Sequence, residues 1–123
     1  MAAENFLAKD DFGTTQRVKL LTTSASVITY TAKTGRAEDD FVIDRVIRVN
    51  GASGSAMTVT VPDGVYYGQR CLILLEVYAA TSTLDVTTTT GDDATQITAA
   101  GGYWDGIWCG STLGWATLNS STT

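Results

Sequence analysis

The side chains that most often carry out chemistry are scarce in this chain of 123 residues. Histidine is absent, which removes Ser-His-Asp and Cys-His nucleophiles and histidine-ligated zinc from consideration. Carboxylates cluster at Glu38-Asp39-Asp40 and at Asp92-Asp93. A hard cation such as calcium takes six to eight oxygen ligands, which acidic loops can supply, but no EF-hand or nonapeptide calcium spacing is present. Asp105, between Trp104 and Trp108, has the look of a carboxylate in a sugar cleft. Asp105-Gly106 nevertheless reads first as a turn in which the acid bonds its own backbone. Trp104 and Trp108 are the candidates for stacking on glycan rings, against the competing role of filling a core. Cys71 and Cys109 lack C-x-x-C spacing, so no zinc site is expected. They can be free buried thiols or a bridge between neighbouring strands. No Gly-rich segment stands between a strand and a helix, so no phosphate loop is expected. Neither enzymatic activity, a metal nor a cofactor is anticipated.

Charge narrows the partners. The net charge is −5, the wrong sign for a protein that must neutralise phosphates, so no nucleic-acid partner is expected. All eight basic residues fall in the first 70 positions, where eight acids balance them; the other five acids stand without any cation in the second half. No apolar run approaches the ~20 residues that span a bilayer, and the start Met1-Ala2-Ala3-Glu4-Asn5-Phe6 has neither a basic nor an apolar signal region. Synthesis in a reducing host cytoplasm, with no membrane partner, is the expectation.

The elements that must position these residues read as strands. Roughly one residue in six is threonine, with frequent valine and isoleucine, side chains that lose rotamer freedom in helices and pack well on pleated sheets. Twelve glycines and one proline mark closely spaced turns, the signature of a sandwich or barrel. Met57, Val59 and Val61 alternate with Thr58 and Thr60, as a half-buried strand does. Residues 41–49 carry a valine spacing that also fits a helix, but their β-branched content predicts a strand. In residues 71–79, Cys71, Ile73, Leu75, Val77 and Ala79 form one apolar face and Leu72 and Leu74 another. Such a strand is either central or turns its second face to another subunit. The reading is an all-β protein, a small antiparallel β-sandwich or jelly-roll-like barrel over residues 17–118. Residues 1–16 are expected to form an N-terminal arm anchored by Phe6, Leu7 and Phe12, and residues 119–123 a loose tail.

From Ala56 onward the order of signals is distinctive: Thr58-Val59-Thr60-Val61-Pro62-Asp63-Gly64, then Gly68-Gln69-Arg70 opening an apolar strand, Leu84-Asp85-Val86-Thr87, Gly91-Asp92, Gly101-Gly102 and a closing pair with Trp108, Gly114 and Trp115. This order resembles the small β domains of tailed-phage virions, found in head decoration (cement) proteins, head fibres and tail fibres, over about half the chain. The resemblance implies a commonly trimeric protein that binds other virion proteins without performing chemistry, and makes Pro62, Gly68, Gln69 and Trp115 fold-defining positions. The chain departs from the pattern in a longer segment around Trp104 to Gly110, with Cys109 inside it.

A short single domain with an apolar arm suits decoration better than a fibre, which needs a shaft and a receptor-binding tip. The expectation is a bacteriophage capsid decoration protein, a homotrimer on the outer surface of the virion head that binds the major capsid protein. Phe6, Leu7 and Phe12 are the candidates for capsid attachment, and Leu72, Leu74 and Tyr78 for the subunit interface. The alternative is an adhesive tail or head-fibre module in which Trp104 and Trp108 meet host glycan.

Overall fold

The computed structural model describes residues 6–9, 15–22, 28–36, 41–51, 56–79, 83–92 and 94–121. Every regular element among them is a strand: β1 (Phe6–Lys9), β2 (Thr15–Thr22), β3 (Ile28–Thr31), β4 (Val42–Asn50), β5 (Met57–Val61), β6 (Arg70–Val77), β7 (Leu84–Thr88), β8 (Ala94–Ile97), β9 (Tyr103–Trp108) and β10 (Trp115–Ser121). They form a large sheet in the order β1-β2-β4-β6-β9-β10 and a small one in the order β3-β5-β7-β8. The protein is all-β and two-sheeted, and no barrel closes.

The expected antiparallel pairing is corrected at the centre of the molecule. From β2 to β7 the chain alternates between the sheets. β2, β4 and β6 lie parallel in one, and β3, β5 and β7 lie parallel in the other. The strands start at Thr15, Val42 and Arg70 and at Ile28, Met57 and Leu84, so the chain coils with a repeat of about 28 residues. Parallel neighbours need a crossover, and each coil supplies one as a strand of the opposite sheet. Three coils stack in this way, like a short solenoid. Antiparallel pairs confine themselves to the ends, with β1 on β2, β8 on β7, β9 on β6 and β10 on β9. Alternation with period two is the same for both pairing directions, which is why the residues alone do not distinguish them.

Stacked coils place equivalent side chains in columns. Val49 lies beside Leu75 and Ile47 beside Ile73 on the inner face of the large sheet, with Val59 beside Val86 and Met57 beside Leu84 on the small one. All eight are buried, as are Cys71 and Trp104. β6 alternates cleanly, with Cys71, Ile73 and Leu75 inside and Leu72 and Leu74 half-buried on the outer face. Residues 42–50 are a strand, as their β-branched content predicts.

The last two strands close the core with tryptophan. Trp115 packs against Trp108 at 5.6 Å and edge-on to Trp104 at 6.1 Å between ring centroids. Trp115 Nε1 donates to the Pro62 carbonyl at 2.8 Å, and Trp104 Nε1 to Thr117 Oγ1 at 2.9 Å. Gln69, also buried, accepts from the Val65 amide at 2.7 Å and donates to the Thr34 carbonyl at 3.0 Å, tying two coil turns together. Gly106 makes room for Trp104, since a Cβ there would lie 2.2 Å from the indole. Gly106→Ala is expected to overpack this site and cost about 1–3 kcal/mol, read as a lowered urea midpoint with an unchanged slope.

Both chain ends differ from expectation. The described part of the N-terminal segment is not a detached arm: Phe6 pairs with Val18 and Leu7 with Arg17 at the outer edge of the large sheet. Asn119, Ser120 and Ser121 belong to β10 and pair with Asp105, Trp104 and Tyr103. Ladder hydrogen bonds come from the backbone, so small polar side chains do not prevent the last residues from continuing the sheet.

Candidate functional site

The most concentrated polar group lies at the first coil. Asp44 is 1% exposed. Its carboxylate accepts from Arg17 Nε, from the Tyr30 hydroxyl at 2.5 Å and from the Lys33 amide at 2.9 Å. Arg17 also donates to the Tyr30 oxygen at 2.9 Å, and Lys19 Nζ stands 5.9 Å from the Tyr30 ring centroid. The pairing of β2 with β4 skips Arg45, passing from Arg17–Asp44 to Val18–Val46. This bulge brings Asp44 beside Arg17, and Lys19, two residues on, lies beside Ile47 in a column that the next coil fills with Ile73. Burial, reinforced by the neighbouring Asp44 carboxylate, pushes the Tyr30 hydroxyl well above its ordinary pKa. A tyrosine acting as a base or nucleophile needs the opposite shift. The cluster therefore holds its proton and orders the first coil of the stack.

Other candidate chemistry disperses. Asp105 is held by Arg70, whose Nη2 lies 2.7 and 2.9 Å from its two oxygens on the outer face of the large sheet. Cys71 and Cys109 are free thiols, and burial raises the pKa of Cys71, keeping it protonated. Among the described residues, no three metal-ligating side chains gather, and no helix is long and apolar enough to cross a membrane. Glu38, Asp39, Asp40 and Asp93 lie outside the described residues. Trp104 and Trp108, offered for glycan stacking, are 0% and 5% exposed. Their ring faces are occupied by the core, because apolar rings gain more by packing there than by meeting water.

What remains are surfaces. The outer face of the large sheet presents Val18, Leu20, Val46, Leu72, Leu74 and Ile107, all half-buried. Val18, Val46 and Leu72 are cross-strand neighbours, and Leu74 follows Arg48 and Leu20 in the next row. Two ion pairs are set into this field, Arg48–Glu76 at 2.9 Å, with Arg48 between Leu20 and Leu74, and Arg70–Asp105 at 2.7 Å, between Leu72 and Ile107. Leu72 and Leu74 thus share one surface, as their alternation implies. Tyr78, grouped with them from sequence, packs against the core after the strand has ended. Phe6 and Leu7 occupy the edge strand, and Phe12 lies outside the described residues.

A second surface was not anticipated. Phe41, Val65, Tyr67 and Leu113 are 57%, 44%, 80% and 72% exposed. They sit in turns at the end of the large sheet where β4, β6 and β10 begin and β9 finishes. Val65 lies against Gly35, the Tyr67 ring against Gly110, and Tyr66 accepts from Gln16 Nε2 at 3.1 Å. The registers of β4 on β6, β6 on β9 and β9 on β10 bring these turns to one end of the sheet, so no local pattern marks them.

No family model matches the chain, and no curated protein matches it.

Proposed function

We propose that this protein is a virion decoration protein, a homotrimer that sits on the outer surface of an assembled tailed-phage head and stabilises it without carrying out a reaction. The observation that carries this reading is the outer face of the large sheet, where Leu72 and Leu74 stand with other half-buried apolar side chains and the charges set among them are paired with one another. Contiguous half-exposed apolar surface on a rigid frame is what an interface between subunits requires. β1 is the outermost strand of that sheet, which suits addition to a neighbouring sheet of the major capsid protein. A ligand that binds only the assembled shell stabilises it by mass action, about 2.7 kcal/mol per site at a 100-fold excess over Kd.

The test is the copy number of this protein relative to the major capsid protein in purified virions. Hundreds of copies per particle are expected; a few to a few dozen would move the protein to the tail or a fibre, and none would remove the virion reading. At the level of the trimer, Leu74→Glu buries a charge in the contact and is expected to yield a folded monomer by light scattering. A trimer of unchanged mass would show that this face does not join subunits.

A further inference from the structure

Resting on the trimer reading, we propose that the ring closes head to tail: the loop tip formed by Phe41, Val65, Tyr67 and Leu113 on one copy seats on the outer face of the large sheet of the next. A two-fold dimer needs one self-complementary surface, whereas a three-fold ring needs two different ones. The described residues offer two. Their orientation also favours closure, because surfaces on opposite sides of a subunit propagate a filament. Here one lies on the face of a sheet and the other at its end, so successive copies turn toward one another.

Charge selects a second copy as the occupant. The chain is at −5 and its second half carries no cation, so copies repel except where both surfaces are neutral. On the sheet, Arg48 is paired with Glu76 and Arg70 with Asp105, and the four tip side chains are uncharged. With those charges already matched the face offers a charged partner no unpaired ion, while the uncharged tip of a second copy covers Leu72 and Leu74 and leaves the pairs intact.

The tip is also built in advance. Gly68 donates to the Trp108 carbonyl at 3.0 Å, Gln69 to Tyr66 at 3.2 Å, Cys109 to Gly114 at 2.8 Å and Gly114 to Gly110 at 2.7 Å, all through backbone amides. Phe41 holds a positive φ of 57°, a conformation that disfavours a bulky side chain and is kept where the surroundings or a function require it. Its carbonyl accepts from Thr15 at 3.0 Å, which holds the backbone at the start of β4, where the ring is exposed. Large apolar side chains presented from ordered turns lose little entropy on docking. Each copy in a ring uses both surfaces, so a trimer is held more tightly than a pair joined by one such contact, which still associates at high concentration.

The experiment uses purified chain alone. A tip variant, Tyr67→Ser with Leu113→Ser, and a face variant, Leu74→Glu, are each checked for folding by circular dichroism and sized by sedimentation up to ~1 mM, where weak contacts still register. Should Leu74→Glu fail to fold, Leu72→Lys takes its place. Each variant is expected to be monomeric. Mixed in equal amounts they retain one good tip and one good face between them, so they are expected to form a heterodimer of twice the chain mass and nothing larger. A tip variant that stays trimeric, or a mixture that stays monomeric, would overturn the head-to-tail arrangement while leaving the trimer in place. A wild-type chain that is itself monomeric would overturn both.

Discussion

Asp44→Ala is expected to cost about 3–5 kcal/mol of folding stability, the range for removing one partner from a buried ion pair. The substitution strands Arg17, whose side chain is 16% exposed, and takes the acceptor from Tyr30 and from the Lys33 amide together. A domain of this size holds about 5–15 kcal/mol in total, so the variant should approach the edge of folding at 37 °C. Urea unfolding followed by circular dichroism measures the loss. A companion variant separates the pair from the position: Arg17→Met with Asp44→Leu removes both charges and should cost far less than Asp44→Ala, because no uncompensated ion is left inside. If the single and double variants lose the same stability, the cluster contributes through shape and not through charge.

The other large effect is expected at the closing end of the molecule. Trp115→Ala should cost about 3–5 kcal/mol, as truncation of a large buried aromatic does. Trp115 is 1% exposed and touches both other tryptophans. A Gly91–Trp115 bridge also links the turn after β7 to β10. Alanine leaves a cavity beside Trp104 and Trp108, and leaves the Pro62 carbonyl without its indole donor. Trp115→Phe keeps much of the volume and loses the hydrogen bond, so it should fall well short of the alanine loss; net, such a bond is worth about 0.5–1.5 kcal/mol. Denaturant titrations of both variants give the comparison. An alanine variant within 1 kcal/mol of wild type would mean that the end of the sheet is not a packed core.

The two effects belong to opposite ends of one stack. The first coil is ordered by charge, with Arg17 and Lys19 facing inward, and the last by tryptophan. Repeat architectures depart from their pattern at the terminal units because these lack a neighbour on one side. In this chain one end is polar and open at β3, the outermost strand of the small sheet. The other is dry and closed by β9 and β10. The charged end is covered in the large sheet by β1, paired on β2, and the other end is closed by the antiparallel strands β9 and β10.

Much of this is legible from residue order. Threonine and valine alternation places β5, the paired apolar faces of residues 71–77 place β6, and β-branched content makes residues 42–50 a strand. These are local matters: a side chain two positions on points the same way, and a β-branched residue disfavours a helix wherever it stands. The same locality puts Leu72 and Leu74 together on the face opposite Cys71, Ile73 and Leu75, but which of the two faces is outer was decided by the fold. Parallel coiling, the pairing of Arg17 with Asp44, the burial of Trp104 and Trp108, and the meeting of Phe41, Val65, Tyr67 and Leu113 at one tip were decided only by tertiary structure. Each depends on which strand lies beside which, and residues far apart in sequence become neighbours only when the register between strands is set.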